Sequence, residues 1–302
     1  MPGSERAQQH KPARWGWSLH LLLFLLTFVT TTAFGYALSR SFADGRPVSD
    51  VFIESSYRRL LFGDHTIWAG TIYSVPVLLI LMAHEMGHFV ACQRWRVDAT
   101  LPYFLPFPAL GTLGAFIRIS SPIYYRRSLF DVGVSGPLAG FIVLLPFLGA
   151  GVWMSRVVPA VHTAGSLIFG TPLLLRAFEW IHFPGVPPER ILLHPIAMAA
   201  WVGLLATSIN LLPASQLDGG HILYALGSER AHKIVTLMVV AVVAVLGRFY
   251  LAWLLWALLM FLFRRHPLIY DRESLGAGRV AIGALAWLLL IVSMVVVPVE
   301  IA

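Results

Sequence analysis

The sequence predicts an all-α polytopic membrane protein with six or seven transmembrane helices and a short membrane-associated β element. The first observation is composition. Hydrophobic residues make up 58% of the 302 and charged residues 12%, where a soluble domain is roughly half apolar and about a quarter charged. Mean hydropathy is +0.75, and a chain with so little polar surface fits neither a soluble globule nor a disordered segment. The second observation is pattern: the apolar residues come in long continuous runs without alternation, which argues against an outer-membrane barrel. The third is cysteine usage. The single Cys92 leaves no intrachain disulfide and no multi-cysteine metal site, so any metal must be held by histidine and carboxylate.

A helix needs about 20 apolar residues to cross the bilayer core. The first run, residues 17–38, follows Arg6, Lys11 and Arg14 and is longer than the h-region of a signal peptide. It reads as a signal anchor, although Ser41-Phe42-Ala43 faintly resembles a cleavage site. Further runs cover 67–91, 132–154 and 195–212. Residues 234–246 and 249–263 are separated by Gly247-Arg248, and form either two short spans or one long tilted helix. The last run is 280–297. With the N-terminus inside and seven spans, 14 of the 22 Lys and Arg residues fall in inner segments: Arg6, Lys11, Arg14; Arg94, Arg96, Arg118, Arg126, Arg127; Arg230, Lys233; Arg264, Arg265, Arg272, Arg279. That bias supports this orientation. The net charge of +7 therefore reads as span flanking, and no basic cluster interleaved with aromatics points to nucleic acid. The chain divides into a tail, first span and outer loop (1–65), a membrane core (66–225) and C-terminal spans (226–302). Segments 39–65 and 155–193 are polar-leaning without strong periodicity.

Ionisable residues inside spans are expensive, and each is a functional candidate. Glu85 lies within the second run, and Asp218 follows the fourth with no clear polar break. Glu85 belongs to His84-Glu85-Met86-Gly87-His88, an HExxH. On a helix, i and i+4 share a face, so both imidazoles can point at one ion. Zinc takes tetrahedral N and O ligands and, to be catalytic, needs a third protein ligand and an open position for water. It lowers the pKa of that water to about 7. Glu85 is placed to accept the water's proton without itself being a ligand. Asp218 is the natural third ligand. Pro213 upstream should break the helix, and unwound backbone at membrane depth survives only in a protein interior or along a polar cavity. Read alone, Asp218 is equally well a helix N-cap; beside an HExxH that lacks a third ligand, the ligand reading prevails. Both motifs fall at the inner ends of their spans, the HExxH within roughly 5–10 Å of the boundary, so they can meet.

Together, HEMGH in one span, Gly136-Pro137-Leu138-Ala139-Gly140 in the next and Asn210-Leu211-Leu212-Pro213 through Asp218-Gly219-Gly220-His221 in a later one resemble the site-2 protease family of intramembrane zinc metalloproteases. The resemblance covers about residues 66–225. The stretch from His194-Pro195 to Trp201 is similar to the fourth span of bacterial and chloroplast-type members. No PDZ-like insertion is found, and Gly140 stands where many members carry Asn. The resemblance implies one zinc per chain on His84, His88 and Asp218, with Glu85 as general base. It implies a substrate-positioning or oxyanion role for Asn210 and a supporting rather than ligating role for His221. It further implies that the segment 111–120, after the proline-broken 102–108, is a re-entrant β element whose edge holds an unwound substrate, with Gly114 and Phe116 at the substrate. Gly136 and Gly140 form a GxxxG suited to close packing beside the HExxH helix, with Gly87 serving the same contact. The expected partners are transmembrane protein substrates and the lipid bilayer, with no nucleic acid. The expected location is a multi-pass position in a bacterial cytoplasmic membrane with the active site toward the cytosol. A metal transporter would carry further His and Asp sites along a path through the bilayer, and an inactive relative would have lost Glu85 or a ligand.

Overall fold

Among the described residues of the computed structural model, three helices are long and apolar enough to cross a membrane: α1 (Gly16–Asp44), α3 (Thr71–Arg94) with the 3-10 turn His65–Gly70 leading into it, and α4 (Arg126–Trp153). They coincide with the first three apolar runs. The structure describes residues 16–159, 165–267, 269, 271 and 273–301; Arg6, Lys11, Arg14 and Arg272 of the charge argument lie outside them. Between α1 and α3 sits the short helix α2 (Asp50–Leu61). The fourth run is α6 (Pro195–Asn210) and the last is α10 (Ala277–Ser293), both apolar but shorter. Residues 234–263 are two helices, α8 (Glu229–Leu246) and α9 (Ala252–Leu262), joined by a turn in which the Phe249 N–H bonds Leu246 O at 2.9 Å. A helical hairpin therefore replaces the single long helix that the sequence left open.

The outward faces explain the low charge. Leu22 and Leu25 on α1, Leu79 and Val90 on α3, Ile142 on α4 and Leu255 and Leu258 on α9 are all exposed. The core forms around α6, which is apolar on every side and buried by α3, α4 and α10, as a helix with no polar face requires. Trp201, Leu204, Leu144, Leu148, Tyr73 and Phe34 are fully buried there. Pro195 at the first helical position and His194 as N-cap, its Nδ1 accepting from the Ile196 N–H at 3.3 Å, start α6. The short helix α7 (Asp218–Leu226) is closed by Arg126 of α4, whose guanidinium bonds Ala225 O and, at 3.1 Å, Leu226 O, satisfying carbonyls that a helix end leaves open.

The β content exceeds the single element expected. Strands β1 (Tyr103–Phe107) and β2 (Gly111–Phe116) form the anticipated hairpin, with a bulge where Pro106 offers no N–H to the ladder. Two further pairs are present: β3 (Arg156–Val157) with β5 (Ile191–Leu192), both in the segment 155–193 that lacks strong periodicity, and β4 (Leu167–Phe169) of that segment with β6 (Val299–Ile301) after the last apolar run. Strands of two or three residues that pair across more than thirty positions carry too few residues for a period of two to show.

These strands frame α5 (Leu173–His182), which carries Glu179, only 2% exposed. Burial pushes its carboxyl up to about 7; Arg176, 3.4 Å away, offsets this only partly, and Glu189 adds to it. The folded chain thus keeps this proton up to about 7, whereas the unfolded chain releases it near 4.5. Stability should fall as pH rises through that window, by on the order of 3 kcal/mol when complete. Hydrogen exchange across 173–182, corrected for its intrinsic pH dependence, should be faster at pH 8 than at pH 5. Glu179→Gln should abolish that difference.

Candidate metal centre

His84 and His88 stand one turn apart on the C-terminal half of α3, and both are buried. Helix α4 presses directly on them. A Cβ placed on Gly136 would fall 2.1 Å from His88 Nε2, and one on Gly140 would fall 3.0 Å from His84 Cβ. In return, a Cβ on Gly87 would fall 2.4 Å from Ser135 O. The GxxxG is therefore the surface against which the two imidazoles are held. His88 Nδ1 donates to Val132 O at 2.7 Å, which fixes the tautomer and leaves Nε2 as a lone-pair donor.

The third group comes from a break in the chain. Helix α6 ends at Asn210, and residues 211–217 are unwound up to α7. Ser215 adopts φ +57° there. Its backbone is satisfied by side chains of α8: the Ser215 N–H donates to Thr236 Oγ1 at 3.1 Å and His232 Nε2 donates to Ser215 O at 2.9 Å. Its own hydroxyl donates to Met260 O at 2.6 Å. Asp218 is the first residue of α7, and the cap position is taken by Leu217 with no side-chain cap bond. The carboxylate turns instead to the histidines, with Oδ2 at 3.2 Å from His84 Nε2 and 3.2 Å from His88 Nε2.

These three atoms fit zinc. Tetrahedral bonds of about 2.0–2.1 Å place neighbouring ligand atoms about 3.3 Å apart, close to the 3.2 Å from Asp218 to each imidazole, and all three atoms lie within 4.8 Å of one another. Two imidazoles and a carboxylate are also a donor set that zinc takes. Among the described residues this is the one cluster of three such groups. Glu85 lies outside the three-atom set, 4% exposed, with the Ile117 backbone N–H directed at its carboxyl. The Asn210 amide is 3.3 Å from His84 Nε2, so this residue joins the cluster.

The remaining candidates separate. Phe116 stacks on Tyr103, with ring centroids 5.3 Å apart. With residues 117–123 it lines a cavity of about 820 Å³ whose opposite wall is Gln216, His221, Phe263 and His266. Gly114 is not among the residues lining this cavity. Its φ of +114° serves the bulge opposite Leu105, a conformation open chiefly to glycine. His221 is not one of the three clustered ligands; its Nδ1 pairs with His266 Nε2 at 2.8 Å, and His266 stacks on Tyr224. The supporting residues His232, Thr236 and His266 carry no local signature. His266 sits in an Arg-Arg-His-Pro stretch that reads only as a span boundary.

Peptidase family M50 matches the chain over residues 72–254. "Probable zinc metalloprotease EGY1, chloroplastic" of Arabidopsis thaliana is 28% identical over 95% of this chain and 54% of its own length. The protein of the same name from Oryza sativa subsp. japonica is 28% identical over 88% of this chain and 48% of its own. "Probable zinc metalloprotease EGY2, chloroplastic" of Arabidopsis thaliana is 29% identical over 63% of this chain and 34% of its own. The chain thus spans about half the length of the EGY1 proteins and a third of this EGY2. These names place the relatives in chloroplasts, so they give no support to the bacterial cytoplasmic membrane expected from sequence.

The overlap at Gly136 makes a direct prediction. Gly136→Ala should displace His88 and cut bound zinc from one per chain to a small fraction. Gly149→Ala on the same helix, whose Cβ would meet only Phe178 at an ordinary 3.4 Å, should keep it. Metal analysis of the purified proteins distinguishes the two.

Proposed function

This chain belongs to peptidase family M50, the site-2 protease family, a family of membrane zinc metalloproteases, and from that premise we propose that it is an intramembrane endopeptidase. It cuts peptide bonds in or near transmembrane segments of other membrane proteins, as regulated intramembrane proteolysis requires. The observation that carries the reading is the convergence of His84, His88 and Asp218 inside an apolar bundle, with Glu85 beside them. Unpaired, such groups would be costly there; as metal ligands and base they are satisfied.

When bound, zinc supplies a Lewis acid that acidifies water and polarises the scissile carbonyl. Glu85 takes the proton from that water and passes it to the leaving amine. The Asn210 amide, next to His84, donates to the carbonyl oxygen as negative charge builds on it. A helical substrate hides its backbone in internal hydrogen bonds, so it must be unwound before attack. Strand β2 pairs with β1 on one edge only. Its continuation, through Ile117 at Glu85 and along the cavity, offers a free edge on which an extended substrate segment is held. Phe116 at the cavity rim is the side chain we assign to substrate contact.

We read α1, α3, α4, α6, α8, α9 and α10 as seven spans, with residues 66–225 as the catalytic core. The metal centre then lies toward the side marked by Arg94, Arg96, Arg126 and Arg127, which the charge bias identifies as inner.

Glu85→Gln, reconstituted with a transmembrane substrate, should lose cleavage by about 10²–10⁴-fold while keeping one zinc per chain. Asp218→Ala should lose both activity and zinc. Unchanged cleavage in Glu85→Gln would overturn the mechanism.

A further inference from the structure

The β1–β2 hairpin is tied down at its turn by three hydroxyls from three different helices. Tyr57 of α2 donates to Pro108 O at 2.9 Å, Tyr73 of α3 to Leu110 O at 2.9 Å and Thr30 of α1 to Gly111 O at 2.6 Å. The turn also presses on α1. Gly111 has φ +84°, and a Cβ there would lie 2.6 Å from Thr31 Cα. At the other end of β1, His20 Nδ1 is 3.0 Å from Pro102 O, and Phe24 meets Phe104 edge-on at 5.2 Å. The foot of the second strand is tied to the first by the Thr100 N–H to Arg118 O bond at 3.0 Å and the Ser120 N–H to Asp98 O bond at 2.8 Å.

One of these ties, from Tyr73, and the approach of Ile117 to Glu85 fall on the same helix. Tyr73 and Glu85 are twelve residues apart on α3, or about 18 Å. Leu110, held by Tyr73, and Ile117, whose N–H faces Glu85, are seven residues apart, or about 23 Å when fully extended. The extra residue of the bulge at Leu113–Gly114 shortens the strand toward the helix's measure. Helix α3 thus acts as a ruler that fixes which backbone N–H of the strand stands at the catalytic carboxylate. The strand period is two, so a slip of one residue would turn the opposite edge toward Glu85. Tyr73 is fully buried, and without its hydroxyl the partly buried Leu110 O would lose this donor. Tyr57 makes its bond at an exposed position and adds α2 to the clamp.

We propose that Tyr73 and Tyr57 are positioning residues that set the register of β2 and its continuation to residue 121 against Glu85 and thereby fix which substrate bond is cut. The cut-bond part rests on reading that strand as the substrate edge; the register part does not.

The test uses the full-length chain in detergent with Tyr73→Phe and Tyr57→Phe. The first readout is amide hydrogen exchange. Losing the Tyr73 hydroxyl should speed exchange across 112–121 by about tenfold, and losing the exposed Tyr57 hydroxyl by about two- to threefold, while the α4 segment 133–140 stays protected as in wild type. Unchanged exchange across 112–121 in both variants overturns the proposal. Should Tyr73→Phe also lose protection across 133–140, it has unfolded, and Tyr57→Phe decides.

The second readout is the cut position, by mass spectrometry, in a reconstituted Leu/Ala transmembrane peptide of about 20 residues carrying a central Gly-Pro pair. Wild type should give one position. The variants should spread it over neighbouring bonds and raise KM severalfold with little change in kcat. A single unmoved cut position in variants whose strand has loosened overturns the assignment of cut-site control. A wild-type chain that leaves the peptide uncut counts against the protease reading alone, and the exchange result still decides the register.

Discussion

The contact on which the rest of this structure depends is the side-chain-free face of α4. At Gly136 there is no room for a methyl group, and at Gly133 and Gly140 a methyl group would be tight. Gly136 lies against the His88 ring, Gly140 against His84, and Gly133 against His221 Cβ and the Asp218 carbonyl. One helix face thus touches both segments that bring ligands. Between apolar helices in an apolar solvent, burial supplies little drive for association, and close backbone approach with the dispersion it allows is what holds them. Here that approach also sets where three polar side chains meet. A larger residue at Gly136 would drive the His88 ring away from α4, and the 3.2 Å spacings at Asp218 would open.

The second constraint is that broken backbone needs donors and acceptors from side chains. The fold breaks regular structure twice, at 211–217 beside the metal centre and at the hairpin turn 108–111 that leads into the strand passing Glu85. Each break is repaired by residues distant in sequence: His232 and Thr236 for the first, and Tyr57, Tyr73 and Thr30 for the second. The same low dielectric that makes an unpaired carbonyl expensive makes these bonds strong and specific. A metal site and a strand edge, both needing fixed geometry, are thereby built into a bundle that composition alone would describe as greasy helices.

What was legible in the sequence follows the range of the physics involved. HExxH could be read because i and i+4 share a helix face whatever surrounds them, and the glycine spacing of α4 could be read for the same reason. Pro213 announced the break before Asp218 because its missing N–H is a local fact. The choice between ligand and cap at Asp218 needed the structure, since it turns on Leu217 holding the cap position. The hairpin was legible from its prolines and glycines, whereas the bulge at which Gly114 takes a positive φ was not. The hydroxyl ties and the β3–β5 and β4–β6 pairs were invisible. A tyrosine in an apolar helix looks like core until the carbonyl it meets, thirty or more residues away, is known.

The central claim is that helix packing assembles a two-imidazole, one-carboxylate zinc site within an apolar bundle. X-ray absorption at the zinc edge of the purified full-length protein tests it most directly. The account predicts one zinc per chain, four-coordinate, with nitrogen and oxygen neighbours at about 2.0–2.1 Å and the multiple-scattering signature of two imidazoles. A sulfur neighbour, a single imidazole, or a chain that holds no zinc after exposure to the metal would contradict it.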